Sequence, residues 1–217
     1  MSDEQQALSG YVHRLFAPED DVLEELRGEI ARQDLPEIYI SAEQGRLMQV
    51  LLTAIGARRV LEVGTLGGYS AIWMARALPP DGRLVTIELR AERAELARRF
   101  IRRAGLQDVI EVKVGKALDV LRDLQSRREI FDAVFIDADK EGYGDYLDAA
   151  LALVRTGGLI LGDNAFQHGA IVEDPPPTPS VRAVQAFNER LASDERLVST
   201  ILPVRDGLTL SVVRKGR

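Results

Sequence analysis

Residues 60–70 read V-L-E-V-G-T-L-G-G-Y-S, and this stretch decides the fold. Val60, Leu61 and Val63 are typical of a short buried strand, and the glycines after them predict a turn whose backbone runs close to a ligand. A helix is predicted from Tyr69 onward, so its N-terminus points at the turn. A strand, a glycine turn and a helix in this order form the nucleotide-binding unit of doubly wound α/β folds.

The spacing of these glycines differs from the dinucleotide fingerprint. Two residues separate Gly64 from the adjacent pair Gly67 and Gly68, whereas the fingerprint is G-x-G-x-x-G. Glu62, just before the first glycine, would repel a pyrophosphate and suits a ligand that carries positive charge. The alternative interpretation is a tight turn that only connects the strand to the helix.

Composition limits the class of protein. The chain has 217 residues, 46% of them hydrophobic, which fits one globular domain with a full core. Its formal net charge of -6 argues against a nucleic-acid partner, and it has no cysteine for a disulfide or a nucleophile. No apolar run is long enough for a membrane span and the N-terminus does not resemble a signal peptide, so we expect a cytoplasmic protein without a membrane partner.

Residues 1–57 are predicted to form a helical N-terminal cap, and residues 58–217 an α/β core. In the cap, Ser41 to Gln44 is a capping box that opens a helix closed by Gly56. In the core, strands and helices alternate, which favours right-handed crossovers and a mainly parallel sheet. The predicted core strands lie at 59–63, 84–88, 109–114, 131–137 and 159–161, and the predicted core helices at 68–78, 91–104, 117–124, 143–154 and 181–191.

The end of the chain has a different pattern. Residues 197–204 and 208–213 are apolar runs joined by a segment that contains Asp206-Gly207. Asp-Gly between two such runs predicts an antiparallel hairpin.

Acidic and amide side chains follow the predicted strands. Glu88 ends the second core strand, where a carboxylate can accept hydrogen bonds from both hydroxyls of a ribose; the alternative is a solvated charge at a strand end. Asp137, Asp163 and Asn164 follow two later strands and offer the oxygen ligands that hard divalent cations prefer. The alternative is that these residues only form turns.

Several motifs in sequence order carry a family resemblance. The motifs are S-A-E-Q-G-R, L-E-V-G-T-L-G-G-Y-S, F-I-D-A-D-K, G-D-N and L-P-V-R-D-G-L. From about residue 41 onward the chain resembles the cation-dependent class I S-adenosylmethionine O-methyltransferases of the caffeoyl-CoA and catechol types. The resemblance implies one methyltransferase domain over residues 1–217 with a Rossmann-like fold. That α/β fold has a seven-stranded, mostly parallel sheet, an antiparallel C-terminal hairpin strand, helices on both faces, and usually a homodimeric assembly.

The resemblance also implies a set of residues that contact the methyl donor, S-adenosyl-L-methionine. Ala117 matches the adenine-contacting position, and Ile40 replaces a threonine of the plant enzymes, so one side-chain hydrogen bond is lost. The implied donor-contacting residues are Ile40, Glu62, Gly64, Thr65, Ser70, Glu88, Ala117, Asp137 and Asp139.

The catalytic residues implied by the resemblance are Lys140, as general base, and Asp137. Asp137, Asp163 and Asn164 match the metal ligands, with Mg²⁺ as the first choice and Ca²⁺ or Mn²⁺ as alternatives. His168 matches a substrate-contacting asparagine. An alternative role for Lys140 is an ion pair with one of the neighbouring aspartates.

The expected activity is methyl transfer to a hydroxyl of a catechol-type phenolic small molecule whose vicinal oxygens chelate the cation. A caffeoyl-CoA ester is the alternative acceptor, although the CoA-reading segment of the plant enzymes is not recognisable in residues 1–30. Two other classes stay open at this stage: a nicotinamide-dependent oxidoreductase, and a non-catalytic module that binds S-adenosylmethionine.

Overall fold

The computed structural model describes residues 3–36 and 38–214, with the side chains of residues 3–6 left undescribed. The remaining positions of the predicted domain, at its two ends and at residue 37, lie outside the described residues. The helices are α1 (Asp3–Phe16), α2 (Asp21–Arg32), α3 (Ala42–Ala54), α4 (Tyr69–Ala75), α5 (Ala91–Arg103), α6 (Ala117–Ser126), α7 (Tyr143–Leu153) and α8 (Pro179–Ser193). The strands are β1 (Arg59–Val63), β2 (Arg83–Glu88), β3 (Ile110–Val114), β4 (Phe131–Ile136), β5 (Val154–Gly162), β6 (Leu197–Leu202) and β7 (Leu208–Val213).

These strands form one seven-stranded sheet in the order β3-β2-β1-β4-β5-β7-β6. The first five strands in this order are parallel, and β7 pairs antiparallel with both β5 and β6. The predicted Rossmann-like methyltransferase sheet and its antiparallel C-terminal hairpin are therefore confirmed.

Helices cover both faces of the sheet because successive strand residues point to opposite sides. In β1, Val60 packs in a core with Trp73 of α4, whereas the next residue, Leu61, packs in a second core with Leu147 of α7 and Phe187 of α8. Within the described ranges, no helix combines the length and the apolar character that a membrane crossing requires.

Ser41 caps α3 as predicted, but the second half of the capping box is not formed, because the Gln44 side chain bonds to Asp163 instead. The Ser41 side chain accepts a hydrogen bond from the backbone N–H of Gln44 over 3.2 Å. The helix then packs tightly on α4, since a Cβ atom at Gly45 would lie 2.5 Å from the Trp73 ring. This close packing holds the first turn of α3 beside the sheet.

Two element boundaries differ from the sequence predictions by three or more residues. The helix after the glycine turn ends at Ala75 rather than at residue 78, and hydrogen-bonded turns continue to Leu78. Strand β5 begins at Val154 rather than at residue 159, so it includes Gly157 and Gly158. The strand accommodates this pair through a register shift against β4 and a φ of +77° at Gly157.

Candidate functional site

A cleft of about 2130 Å³ opens at the carboxyl ends of the parallel strands. Ligands bind at this edge in open α/β sheets. The structure brings nearly all of the sequence-predicted site residues to its wall: Ile40, Gly64, Thr65, Ser70, Glu88, Ala117, Asp137, Asp139, Lys140, Asp163, Asn164 and His168. Glu62 does not line the cleft.

The glycine turn forms the floor of the cleft where β1 ends. Gly64 has a φ of +101°, and a Cβ atom there would lie 1.9 Å from the backbone oxygen of Asp137. Only glycine fits such an approach in this backbone conformation. Gly68, with a φ of +88°, begins α4, and its N–H donates to the Thr65 carbonyl over 2.8 Å.

Glu88 ends β2 and braces the loops around it. It is 5% exposed, and its two carboxylate oxygens accept backbone N–H groups from Leu66 at 2.9 Å and from Arg90 at 3.0 Å. Each oxygen retains a lone pair, since a carboxylate has about four acceptor sites. Glu88 can therefore also accept from two vicinal hydroxyls of a ligand.

Glu62 lies beneath the cleft rather than in its wall. Its side chain is fully buried and accepts hydrogen bonds from the hydroxyls of Ser70 and Thr86, the latter at 2.5 Å. Burial raises the pKa of the Glu62 carboxyl to about 8, so it is mostly protonated at neutral pH. In this structure Glu62 therefore does not face the cleft, and it supports Ser70 from below.

The predicted metal ligands lie at the adjacent ends of β4 and β5. The Asp137 N–H donates to the Val63 carbonyl at 2.8 Å, and the Asp163 N–H donates to the Ile136 carbonyl at 3.0 Å, which fixes the two backbones side by side. Burial, followed by the charge of Asp137, raises the pKa of the Asp163 carboxyl to about 6. Asn164 follows with a φ of +57°.

These residues fit a hard divalent cation. Two carboxylates and one amide oxygen are ligands of the type that Mg²⁺ and Ca²⁺ prefer. The described residues contain no cluster of three or more histidine, cysteine or acidic side chains, so the set depends on the amide of Asn164. The Gln44 side chain lies beside this set and donates from Nε2 to Oδ1 of Asp163 over 2.5 Å.

Lys140 lies between an acid and a phenol. Its ammonium is 3.1 Å from Oδ1 of Asp137 and donates to the Tyr143 hydroxyl over 2.6 Å. Burial raises the pKa of Tyr143 well above its usual value, so the hydroxyl keeps its proton. That hydroxyl is in turn within 3.2 Å of the carbonyl oxygens of Ile136 and Asp163. The ion pair weighed as an alternative role for Lys140 is thus present with Asp137.

Asp139 takes a different partner. Its Oδ1 accepts a hydrogen bond from the Tyr146 hydroxyl over 2.6 Å, which fixes the carboxylate at the cleft wall. Lys140 and Asp139 therefore do not form the alternative ion pair in this structure.

The loop after β5 forms the outer wall of the cleft. The His168 side chain is 90% exposed, and its backbone N–H donates to Oδ1 of Asp206 over 2.7 Å. The Phe166 ring leaves no room for a side chain at Gly207, where a Cβ atom would lie 2.9 Å away. The hairpin turn between β6 and β7 thereby supports the loop that carries His168.

The O-methyltransferase family model matches residues 14–215 of the chain. The chain belongs to the O-methyltransferase family. A catechol O-methyltransferase of Niastella koreensis is 38% identical over 215 residues, which cover 96% of this chain and 97% of that protein. Caffeoyl-CoA O-methyltransferase 2 of Zea mays is 37% identical over 205 residues, which cover 90% and 78%.

A solved structure of an O-methyltransferase is also similar to this chain over nearly its whole length. The crystal structure of the O-methyltransferase from Bacillus cereus in complex with SAH superposes with a TM-score of 0.91 and 40% identity, covering 96% of this chain and 97% of that one. Family membership makes the chain an S-adenosylmethionine-dependent O-methyltransferase and confirms the resemblance found in the sequence. A nicotinamide-dependent oxidoreductase is thereby set aside.

Sequence reasoning missed three side chains that organise the site of this O-methyltransferase. Gln44 was interpreted only as part of a capping box, and Asp206 only as part of a hairpin turn. Tyr143 was interpreted only as the start of a helix. Their contacts to Asp163, His168 and Lys140 are side-chain contacts that local patterns do not encode.

Proposed function

We propose that this O-methyltransferase transfers a methyl group to a hydroxyl of a catechol-type small molecule whose vicinal oxygens chelate a divalent cation. The observation that carries the proposal is the contact between the glycine turn at Gly64 and the chain at Asp137. Because of this contact, a donor held over the turn and an acceptor held at the acidic pair would meet at one edge of the sheet. Holding two reactants in line is worth on the order of 7–11 kcal/mol of the barrier.

For the donor, we propose that Glu88 accepts from the ribose and that the backbone from Gly64 to Ser70 surrounds the methionine part. Ala117 at the start of α6 would contact the adenine, and Ile40 and Asp139 would contact the sides of the donor. All of these residues line the cleft, and Glu62 would contribute only through its hydrogen bond with Ser70.

For the cation, Asp137, Asp163 and Asn164 would be the protein ligands. Three protein ligands leave positions open for a bidentate diol on a six-coordinate ion. When bound, the cation orients the two acceptor oxygens and lowers the pKa of the hydroxyl that reacts. Mg²⁺ is the first choice, and Mn²⁺ and Ca²⁺ are the alternatives.

Lys140 would act as the general base. In the proposed step, Lys140 reacts as the neutral amine, after its ammonium has lost one proton to solvent. The acceptor hydroxyl gives its proton to this amine, and its oxygen bonds to the methyl carbon. The bond from that carbon to the donor sulfur breaks, and its electron pair stays on the sulfur. Asp137 and the Tyr143 hydroxyl contact the Lys140 nitrogen at 3.1 Å and 2.6 Å, which fixes its place beside the proposed cation ligands.

The names of the relatives support two acceptor classes, catechols and caffeoyl-CoA esters. We favour the smaller acceptor because residues 1–30 lack a recognisable CoA-reading segment and because the loop that carries Phe166 and His168 forms one wall of the cleft. A flat ring of modest size suits such a wall.

An acceptor panel tests the proposal. Caffeic acid, its CoA ester and the matching mono-phenol are compared with labelled donor, with excess Mg²⁺ and with excess chelator. We expect turnover of caffeic acid with Mg²⁺ and none with chelator. Preference for the CoA ester would overturn the proposal of a small acceptor. Equal turnover of the mono-phenol would overturn the proposal that two vicinal oxygens chelate the cation. No turnover of any of the three would overturn the proposed catechol-type acceptor.

A homodimer is also proposed, with α1 as the contact. An apolar stripe on this helix is exposed: Leu8, Tyr11, Val12, Leu15 and Phe16. Exposed stripes at helical spacing mark interaction surfaces. Sedimentation of Leu15→Glu should show a lower mass than the wild type, whereas Ile130→Glu, exposed elsewhere at 48%, should not. A wild-type monomer would contradict this assembly.

A further inference from the structure

Gln44 connects the helical cap to the acidic end of β5. It lies in the first turn of α3, and its side chain is completely buried. Its backbone N–H donates to the Ser41 side chain, but its side-chain amide does not return to the Ser41 backbone as in a complete capping box. That amide donates from Nε2 to Oδ1 of Asp163 over 2.5 Å, across 119 positions of sequence.

The orientation of this amide follows from charge. With Nε2 toward Asp163, a donor faces an acceptor, whereas the reversed amide would place its carbonyl oxygen against the carboxylate. In the observed orientation Oε1 of Gln44 is buried and has no partner.

Asp163 is held at three points. Its backbone N–H donates to Ile136, its backbone carbonyl accepts from the Tyr143 hydroxyl at 3.1 Å, and its side chain accepts from Gln44. The first two contacts place the backbone, and Gln44 is the side chain that orients the carboxylate. A neutral amide does so without adding a third negative charge beside Asp137.

We propose that Gln44 is a positioning residue for the divalent cation: by donating to Oδ1 of Asp163, it presents the other oxygen of that carboxylate to the ion. The inference rests on the proposed cation site. Partners that orient a metal ligand in this way change metal affinity by roughly 10- to 100-fold when they are removed.

The chain offers a matched control on the same helix. Gln49 is 8% exposed and likewise has a buried amide oxygen without a partner, but it makes no hydrogen bond to Asp137 or Asp163, whereas Gln44 donates to Asp163. Gln44→Met and Gln49→Met therefore remove the same chemical group from the same helix, and only the first removes a contact to the acidic pair.

Calorimetric titration of Mg²⁺ into the full chain tests the inference. We expect Gln44→Met to bind the ion at least about 10-fold more weakly than the wild type, and Gln49→Met to stay within about twofold. Affinity for S-adenosylhomocysteine in excess chelator should be unchanged in both variants, because Gln44 acts on the cation and not on the donor. Thermal melting without the ion shows whether each variant is folded.

Two outcomes would overturn the inference. If folded Gln44→Met binds Mg²⁺ as the wild type does, Gln44 only tethers α3 to the sheet. If the wild type binds no divalent ion, the proposed cation site itself fails, and this inference with it. Should Gln44→Met not fold, Gln44→Asn keeps an amide that is one methylene too short to reach Asp163, and it should show the same loss of ion affinity.

Discussion

Gly64 lies so close to Asp137 that a Cβ atom on the glycine would come within 1.9 Å of the aspartate carbonyl oxygen. The end of β1 therefore touches the end of β4 through backbone atoms alone. This contact joins the turn proposed to hold the donor to the residue proposed to hold the cation.

Gly64→Ala should disrupt this contact and with it the site. The added methyl group must displace the backbone at Asp137, so we expect a loss of several kcal/mol in the free energy of unfolding, of the order seen for severe backbone strain. Gly105→Ala is the control, because Gly105 also has a positive φ, +70°, but nothing within 4 Å of the added atom. It should cost only about 1 kcal/mol. Equal losses in urea denaturation would contradict the steric argument.

Glu88→Ala should weaken the methyl donor. Removing a charge-assisted hydrogen bond costs roughly 1.5–3 kcal/mol, which is about 10- to 150-fold in affinity. Because Glu88 also braces Leu66 and Arg90, Glu88→Gln is the milder variant, which keeps the length of the side chain. Calorimetry with S-adenosylhomocysteine measures both, with the exposed Glu92→Gln as control. An unchanged donor affinity in Glu88→Ala would contradict the proposal that Glu88 binds the donor.

The elements of this fold were predictable because their signals are local. The glycine turn, the helix cap at Ser41 and the Asp-Gly hairpin each lie within a few residues of the structure they specify. Strand β5 begins earlier than predicted because Gly157 and Gly158 join the sheet through a register shift against β4, and tertiary pairing sets that shift. Burial in the interior of β1 likewise decides the protonation of Glu62, and a sequence motif does not report it.

Only the site residues at the ends of the strands were predictable from the sequence. Asp137, Asp163 and Glu88 follow strands, and the rule that parallel strands end at one edge brings them together. The supporting contacts join Gln44 to Asp163 and Asp206 to His168, which are 119 and 38 positions apart. Such pairs depend on side-chain packing between separate elements, so no short pattern reveals them.

Variants of Lys140 separate its two proposed roles. If Lys140 is the general base, both Lys140→Met and Lys140→Arg should lower kcat by about 10²- to 10⁴-fold, because a guanidinium stays protonated. If it is only the ion-pair partner of Asp137, Lys140→Arg should keep most of the activity. The control is Lys113→Met, on β3, where the lysine pairs with Glu111. Steady-state kinetics at saturating Mg²⁺ with a catechol acceptor decide between the roles.

Tyr143→Phe tests whether the phenol positions that lysine. The variant removes the hydroxyl that accepts from Lys140 and leaves the ring packed edge-on against Phe187, with the centroids 5.0 Å apart. We expect kcat to fall by about 10-fold, of the order of one lost hydrogen bond to a charged group, with the KM for the donor unchanged. A rise in the donor KM without a change in kcat would contradict a role at Lys140.

Glu62→Gln should change how stability depends on pH. The pKa of the Glu62 carboxyl is about 8 in the folded protein against a reference value of 4.5, because burial disfavours the charged form. Between these two values the unfolded chain loses its proton while the folded chain keeps it. The wild type therefore loses stability as pH rises through this window, by at most roughly 1.4 kcal/mol per pH unit.

The glutamine variant stays uncharged in both states and lacks this slope. Its stability relative to the wild type should rise from pH 5 to about pH 8 and then level off, because above the folded pKa both states of the wild type are ionised. Urea denaturation across this range measures the difference, and contributions from all other groups cancel to first order. The exposed Glu189→Gln should track the wild type at every pH. If Glu62→Gln also runs parallel to the wild type, the buried carboxyl does not keep its proton.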